Sequence, residues 1–438
     1  MVAFIVLIQC FLVLLLILMK KAKLINHLFL GFGLWWIIII LISKIDPYGG
    51  YKVGFNAYFC IALFLLFFGL FFIFSKTGSL RYKYDEEKIK EQYTEFFLKS
   101  KWLKIILGIC TFLLIFYTYK YSSMMTINTF LNARNERFFV GGLFQSTLEL
   151  LFYNYFISMW RYLFAFVIAY SIVYWQIKNW LFGVSVINLI LYAYIGSSMC
   201  PIVILVIDLI VLFVIKKSYS SKKLNFQNIK RGIGVILVLF ICIFIMTYIT
   251  AFRRGMLSFT WNSIFMNFKI LYKQIIIYNV GPISGLSYLF ENNILVNHYL
   301  LGRSVLLNGI DEIIAYFFSA IGIHMTYAKA ILGEISNKNI QLGSESFNAL
   351  YTCVYWFFSD LGYIGVVLFS SIFGFLESKG ISNFIKKPSI ISLVLMVHLL
   401  YFMFTSNMIW QINNVDSLLY ILFLFLVYKK MKKQNQIK

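Results

Sequence analysis

Residues 55–74 read FNAYFCIALFLLFFGLFFIF, a stretch without a charged side chain. A helix of this length rises about 30 Å, which matches the hydrocarbon core of a bilayer. The apolar residues are continuous rather than alternating, and this favours a membrane-spanning helix over a strand of a β-barrel. The stretch therefore predicts a transmembrane helix, and the same pattern recurs along the chain.

The composition of the whole chain predicts a polytopic membrane protein. Of its 438 residues, 61% are hydrophobic and only 13% are charged, and the mean hydropathy is +0.82. A soluble globular domain has about 25% charged residues. The apolar runs predict about eleven spans: Val2–Met19, Leu28–Ile42, Phe55–Phe74, Trp102–Tyr119, Phe156–Trp175, Trp180–Ile195, Pro201–Ile215, Gly232–Ala251, Leu361–Leu376, Ser389–Phe404 and Ser417–Tyr428.

The net charge of +22 reflects topology and lipid contact rather than binding to nucleic acid. Lysines are grouped at the ends of the apolar runs, where they orient the helices and meet anionic lipid headgroups. The basic residues after Val2–Met19 and in the tail after Tyr428 place the N-terminus outside and the C-terminus inside. We expect no nucleic-acid partner, and membrane lipid is the partner that this charge pattern predicts.

These patterns predict an all-α fold, a transmembrane helical bundle with one large external loop that contains interfacial helices. Residues 1–251 form a bundle of about eight spans, with a cytoplasmic loop at 76–101 that holds a short amphipathic helix and a polar external loop at 120–149. Residues 252–360 form the large external loop and contain the active site. Residues 361–438 form the C-terminal spans and a basic cytoplasmic tail.

Two segments of the long loop have helical periodicity. Trp261–Tyr278 is amphipathic and is expected to lie along the membrane or across the mouth of the bundle, with a break at 279–282, where the sequence is NVGP. Val305–Ile323 is apolar except for Asp311 and Glu312. Because adjacent acids are costly at the centre of a bilayer, we expect an interfacial or re-entrant segment there.

Arginines of the long loop are candidates for binding an anionic substrate. Arg253 and Arg254 follow a span at its outer end, whereas basic residues are otherwise concentrated inside. A guanidinium group stays charged and binds phosphate oxygens in a bidentate manner, so the pair suits a phosphate or diphosphate. The alternative is contact with lipid headgroups. Arg303 is a further candidate cation.

A general base is sought among the histidines and acids of the same loop. His324 and His298 are the candidate histidines, because imidazole is the commonest general base in enzymes; the alternative for each is a structural role. Glu345 and Asp360 are alternatives, although Asp360 at the start of a span is better explained as a helix cap. Asp208 lies inside a predicted span and needs a partner or water, for which Arg161 is one possibility.

Several kinds of chemistry have no signature in this sequence. Six cysteines lie in or beside apolar runs without a CxxC pair, as expected of small buried hydrophobic residues. The sequence has no DxD motif, P-loop, HExxH or GxSxG. An enzyme of this kind is expected to use no metal and no cofactor, and to act on an activated donor that is already in the membrane.

The late part of the chain resembles the Wzy-type polymerases that join oligosaccharide repeat units in bacterial O-antigen and capsule assembly. The resemblance is carried by the pair Arg253-Arg254, by YNVGPI at 278–283 followed by LGR at 301–303, and by ESFNALYT at 345–352 followed by SDLGYIG at 359–365. The last two stretches are similar to the family's N-x-x-T and D-x-G-x-x-G ending. The matching motifs cover about the last two fifths of the chain.

The resemblance implies a GT-C-like fold and a metal-independent glycosyltransferase in the bacterial cytoplasmic membrane, with its active loop on the outer side. Such an enzyme transfers a growing glycan from undecaprenyl diphosphate to a new lipid-linked repeat unit. Chain-length regulators and flippases are the protein partners that the resemblance implies. The candidate catalytic residues are His324, Glu345 and Asp360, and the candidate substrate-binding residues are Arg253, Arg254, Arg303, Tyr278, Asn348 and Tyr351.

Two other functions stay open at the level of sequence. A lipid-linked glycan ligase has the same general layout but transfers one chain to a different acceptor. A flippase or other transporter of lipid-linked oligosaccharides is expected to show internal symmetry and charges along its spans. The long external loop and the few charges inside the spans favour the polymerase.

Overall fold

The protein was analysed as a computed structural model. The structure describes residues 1–19, 23–46, 52–75, 85–127, 141–196, 198–219, 234, 236–238, 240–247, 261–295, 299–336, 340–342, 345–347 and 351–437. The predicted all-helical character is confirmed in this part of the chain, apart from one short hairpin. In that hairpin, strand β1 (Ile340–Leu342) pairs antiparallel with strand β2 (Glu345–Phe347).

The helices follow the apolar runs closely but several extend beyond them. They are α1 (Val2–Leu18), α2 (Lys23–Ile45), α3 (Phe55–Phe74), α4 (Glu86–Tyr93), α5 (Lys101–Ile127), α6 (Thr147–Phe152), α7 (Trp160–Val173), α8 (Trp180–Gly196), α9 (Cys200–Tyr219), α10 (Ile236–Thr247), α11 (Trp261–Glu291), α12 (Asn308–Ala320), α13 (Ala328–Ser336), α14 (Cys353–Lys386), α15 (Ile390–Thr405) and α16 (Val415–Ile437).

Five helical segments in the described residues are long and apolar enough to cross a membrane. They are Lys23–Ile45, Phe55–Phe74, Lys101–Met125, Thr147–Val173 and Cys353–Lys386. Shorter apolar helices are Val2–Leu18, Trp180–Gly196, Ile236–Thr247 and Ile390–Thr405. The structure therefore supports a multi-pass membrane protein, while the predicted count of about eleven spans stays a prediction.

The chain divides into two compact units that interleave in sequence. The first unit comprises Met1–Lys83, Gln274–Lys387 and Leu399–Leu418, and the second comprises Tyr84–Lys273, Pro388–His398 and Leu419–Lys438. This division follows packing, whereas the predicted segments 1–251, 252–360 and 361–438 follow membrane sidedness. The division into packing units therefore does not test the predicted sidedness of these segments.

The first unit is built on the close contact between α3 and α14. Gly374 lies so near the Phe68 carbonyl that a β-carbon there would overlap the carbonyl oxygen. Small residues allow helices in membranes to approach in this way. Around this contact, the Phe68 and Phe373 rings lie 5.1 Å apart, and the Phe373 and Trp410 rings also lie 5.1 Å apart. The aromatic core therefore joins α3 and α14 to the turn that follows α15.

The second unit is centred on α7, which packs against both α8 and α9. The ring of Tyr170 in α7 stacks with that of Tyr93 in α4 and with that of Tyr174 just after α7, with ring centroids 4.5 Å apart in each pair. The helix predicted in the 76–101 loop is present as α4. Asp85 caps α4 by accepting a hydrogen bond from the backbone N–H of Lys88 at 3.1 Å.

The structure corrects two predictions about the long loop. The predicted helix over Trp261–Tyr278 is present, but α11 runs on to Glu291 with Pro282 inside it, so the break at 279–282 is wrong. Proline removes one backbone donor, and tertiary packing of α11 overrides that local cost. In addition, helical structure already begins at Cys353, before the predicted span start at residue 361, and α14 is broken at Leu361 and Gly362, directly after Asp360.

Candidate functional site

The site in the first unit begins with a break in α14 at Leu361 and Gly362. Leu361 has φ −146° and ψ 21°, and Gly362 has φ 63° and ψ −145°, a left-handed φ that glycine adopts without strain. A break at this point leaves the carbonyls of Ser359 and Asp360 without their helical partners. The backbone N–H groups of Leu300 and Leu301 donate to these two carbonyls, each at 3.0 Å.

Asp360 fixes the turn at 299–307 against α14. Its carboxylate accepts hydrogen bonds from the backbone N–H of Ser304 at 3.1 Å and of Val305 at 2.8 Å. The Ser304 hydroxyl donates to the carbonyl of Trp356 at 3.2 Å. Asp360 is fully buried and both of its carboxylate oxygens accept backbone donors. This arrangement suits a residue that positions the turn. The sequence predicted that Asp360 caps its own span, whereas the donors that it binds belong to residues 304 and 305.

The turn after α15 also forms hydrogen bonds with the segment at residues 305–309. The Val305 carbonyl accepts from Trp410 Nε1 at 3.4 Å and from Asn413 Nδ2. The Asn413 carbonyl in turn accepts from the Gly309 N–H at 3.1 Å. Three segments that are distant in sequence therefore meet at residues 304–309.

Arg303 and Asp311 form a bidentate ion pair. Arg303 Nε lies 3.0 Å from Asp311 Oδ1, and Arg303 Nη2 lies 3.2 Å from Asp311 Oδ2. Nη2 also donates to the Thr326 carbonyl at 2.8 Å, and the Ala328 N–H donates to Asp311 Oδ2 at 2.6 Å. Lys329 lies 3.3 Å from Glu312, which adds a second ion pair beside the first.

Helix α12 buries its polar side and exposes its apolar side. Asp311 is 4% exposed, whereas Phe317 is 66% exposed. Such an arrangement is the reverse of a helix on a water-facing surface. The two acids are paired inside the protein and the isoleucine-rich side is exposed, whereas the interfacial or re-entrant position of this segment stays a prediction.

Tyr351 and Thr352 lie just before α14. The Tyr351 ring packs on Gly285 of α11 and lies 4.9 Å from the ring of Tyr355. Burial raises the pKa of the Tyr351 phenol to about 12, so the hydroxyl stays protonated at neutral pH. The hydroxyl of Tyr355 donates to the Leu332 carbonyl at 3.0 Å, which joins α14 to α13.

The remaining predicted site residues are placed as follows. His324 is exposed in the segment between α12 and α13, two residues before Thr326. Glu345 begins β2, opposite Leu342. Tyr278 is half-buried on α11. Outside the described residues lie Arg253, Arg254, His298 and Asn348.

Sequence reasoning found Asp360, Arg303 and Asp311 but missed how they are joined. Trp410 and Asn413, which donate hydrogen bonds to the Val305 carbonyl, come from a turn more than 100 residues further along the chain. No local periodicity links them to Arg303. The one available signal was the adjacent acids at 311 and 312 in an apolar run, which predicted an interfacial or re-entrant segment but named no partner for either acid. Among the described residues, no three His, Cys, Asp or Glu side chains are grouped to hold a metal ion.

The second unit contains a separate cluster of ionisable and aromatic side chains. The Tyr162 ring lies 4.6 Å from the His398 ring, which lies 4.9 Å from the Tyr420 ring. Arg161 donates to the Tyr162 hydroxyl at 2.9 Å, and Asp208 interacts electrostatically with Tyr420. Asp208, His398 and Tyr420 are all buried. The structure thus gives Arg161 and Asp208 aromatic neighbours in the interior of the unit.

Comparison of the chain with protein-family models, with curated proteins and with solved structures finds no match.

Proposed function

We propose that this chain is a membrane glycosyltransferase that polymerises lipid-linked oligosaccharide repeat units. The supporting observation is the hydrogen bonding between the segment around one motif stretch, LGR at 301–303, and the start of another, SDLGYIG at 359–365; both stretches carry the resemblance to the repeat-unit polymerases. Backbone N–H groups in residues 300–305 donate four hydrogen bonds to residues 359–360. Two of these bonds go to the carbonyls of Ser359 and Asp360, and two go to the Asp360 carboxylate. A third stretch, at 278–283, leads directly to Gly285, on which Tyr351 packs.

The proposed reaction follows from the chemistry of a glycosyl diphosphate donor. An acceptor sugar hydroxyl attacks the anomeric carbon of the donor glycan, and a new glycosidic C–O bond forms as the C–O bond to undecaprenyl diphosphate breaks. The diphosphate leaves with the electron pair, and the hydroxyl proton passes to a general base. Arg253 and Arg254 would neutralise the charge that develops on the leaving group. His324 and Glu345 are the proposed general bases, because His324 is exposed whereas Asp360 is buried and hydrogen-bonded.

Arg303 has a different part in this proposal from Arg253 and Arg254. Its guanidinium is already bound to the Asp311 carboxylate and to the Thr326 carbonyl. The Arg303 side chain would therefore orient the segment that carries His324. Only its exposed edge would be available to contact substrate. The GT-C-like arrangement of spans and the placement of the loop outside the cytoplasmic membrane are parts of the same proposal.

Deletion of the gene in its host tests the proposed function. The polymerase proposal expects surface glycan to collapse from a ladder of lengths to a single repeat unit, and expects the wild-type gene to restore the ladder. A glycan of unchanged length distribution after deletion would reject it. A ligase would instead leave polymer on its lipid carrier, detached from the final acceptor.

A transporter is the second candidate, and the buried cluster in the second unit favours it. Ionisable side chains inside a membrane commonly mark the path of a proton or a polar substrate. In this unit Asp208 and His398 are buried, and the half-buried Arg161 donates to the Tyr162 hydroxyl. The same deletion strain separates the two functions. Loss of a polymerase leaves single repeat units at the outer surface, accessible to an impermeant lectin, whereas loss of a flippase leaves them inside.

A further inference from the structure

Two buried hydroxyls at the N-terminal end of α14 are without hydrogen-bond partners. Tyr351 is 2% exposed and Thr352 is 0% exposed, and neither hydroxyl has a partner among the described residues. Buried polar groups are nearly always paired, because an unmade hydrogen bond costs free energy. Tyr351 and Thr352 bring two such groups together in adjacent residues at the start of α14.

The Thr352 hydroxyl is unusual for its position. Thr352 is the N-cap residue of α14, where a threonine side chain normally accepts a hydrogen bond from the first helical turn. Here the side chain makes no capping bond, and the Cys353 N–H donates instead to the Ser406 carbonyl at 2.8 Å. Folding of the helix end therefore does not use this hydroxyl.

The Tyr351 ring is held in place by its neighbours. A β-carbon at Gly285 would lie 2.7 Å from Tyr351 Cε1, so only glycine allows the ring to approach α11 this closely. Its neighbours also include the Tyr355 ring, whose hydroxyl donates to the Leu332 carbonyl, and Tyr288, which interacts electrostatically with the Tyr351 phenol. The ring is thus fixed while its own hydroxyl stays unused, which is the arrangement of a preorganised contact.

We propose that the hydroxyls of Tyr351 and Thr352 bind the sugar hydroxyls of the lipid-linked glycan. This inference rests on the proposed function and deepens it. Both protein groups are neutral and can donate and accept a hydrogen bond, as a sugar hydroxyl can. A diphosphate would instead favour arginine, which this pair of side chains does not supply. Because both hydroxyls lie beneath the surface, the site must open as the glycan binds.

The test uses Tyr351→Phe and Thr352→Val, which remove each hydroxyl with little change in shape. Membranes carrying each variant are supplied with lipid-linked repeat unit extracted from the deletion strain, and the initial rate of polymer formation is measured against its concentration. We expect KM to rise about fivefold for each variant, the size of effect of one lost hydrogen bond. We expect the melting temperature in detergent to be unchanged or higher, because no hydrogen bond within the protein is lost.

Tyr355→Phe is the matched control. It removes the hydroxyl that is bonded to Leu332, so we expect a lower melting temperature and an unchanged KM. Unchanged KM in both Tyr351→Phe and Thr352→Val would overturn the inference, since ordered water would then satisfy the hydroxyls. A lower melting temperature in both would overturn it as well, because the hydroxyls would be structural. Wild-type membranes that make no polymer from this substrate would instead remove the proposed function, and the glycan site with it.

Discussion

Arg303 binds Asp311 through two nearly parallel hydrogen bonds, 3.0 Å from Nε to Oδ1 and 3.2 Å from Nη2 to Oδ2. The two residues are not equally buried, because the Arg303 side chain is 33% exposed and the Asp311 side chain is 5% exposed. The pair therefore presents one edge of a cation to the surface while its acid is withdrawn into the protein. This relationship determines how substitutions at the two positions should differ.

Loss of Arg303 should destabilise the protein by more than its exposure suggests. Arg303→Ala leaves the buried Asp311 carboxylate with the Ala328 N–H as its remaining bonded donor, at a cost of about 1–3 kcal/mol. Arg303→Lys keeps the charge but loses the two-pronged geometry, so an intermediate effect is expected. Thermal unfolding in detergent measures both. A double Arg303→Ala/Asp311→Ala variant should recover part of the loss, and an additive double variant would contradict the pairing.

Asp360 should act through protein structure rather than as a base. Asp360→Asn puts an NH2 group where one of two backbone N–H donors now points, so the turn at 299–307 should loosen, at a cost of about 1–3 kcal/mol. We expect the melting temperature and the rate of polymer formation to fall together. Glu334→Gln, at an exposed acid on α13, is the control and should change neither. An Asp360→Asn protein that is fully stable but inactive would contradict this prediction and would support Asp360 as the general base.

Gly374 should tolerate no side chain. Gly374→Ala would force the β-carbon into the Phe68 carbonyl and separate α3 from α14, with an expected loss of about 1–3 kcal/mol. Gly108→Ala is the matched control, because a β-carbon at Gly108 of α5 meets nothing within 4 Å. Alanine is a better helix former than glycine, so the control should be neutral or stabilising by up to about 1 kcal/mol. Equal melting temperatures for the two variants would show that α3 and α14 are not in this contact.

The segment around α12 and α13 should be accessible from outside the cell. Single cysteines at His324 and Glu334, both exposed, are introduced into a chain whose six native cysteines are replaced. An impermeant maleimide should label both in intact spheroplasts, as the charge asymmetry of the connections predicts. A cysteine at Lys88 of α4, in the predicted cytoplasmic loop, should react only after permeabilisation. The opposite labelling pattern would invert the topology.

Arg253 and Arg254 should be needed for rate rather than for folding. Removing a group that stabilises charge on the diphosphate leaving group typically costs about 3 kcal/mol, or about a hundredfold in rate. Polymer in cells should therefore shorten for Arg253→Ala and Arg254→Ala, and less for the lysine variants, while the amount of protein in the membrane stays constant. Normal polymer from the double alanine variant would transfer the cationic role to Arg303.

Local patterns in the sequence predicted much of the helical structure. The run at 55–74 became α3 with the same bounds, and the amphipathic period over 261–278 became part of α11. Both predictions depend on side chains within a few turns of each other, so the sequence contains the needed information. The same reasoning failed at Pro282, where a local breaking signal was overridden by packing of α11.

The sequence by itself predicted a helical membrane protein, since about 20 successive apolar residues satisfy their backbone hydrogen bonds within one helix, and five helical segments of the described residues are long and apolar enough to cross a membrane. It also singled out Arg303, Asp311 and Asp360 as polar residues that need an explanation. Only the tertiary structure decided that Arg303 binds Asp311, that Asp360 holds residues 304 and 305, and that α12 turns its acids inward. Each of these outcomes depends on which distant segments meet, and burial makes such pairings strongly favoured over an unpaired charge.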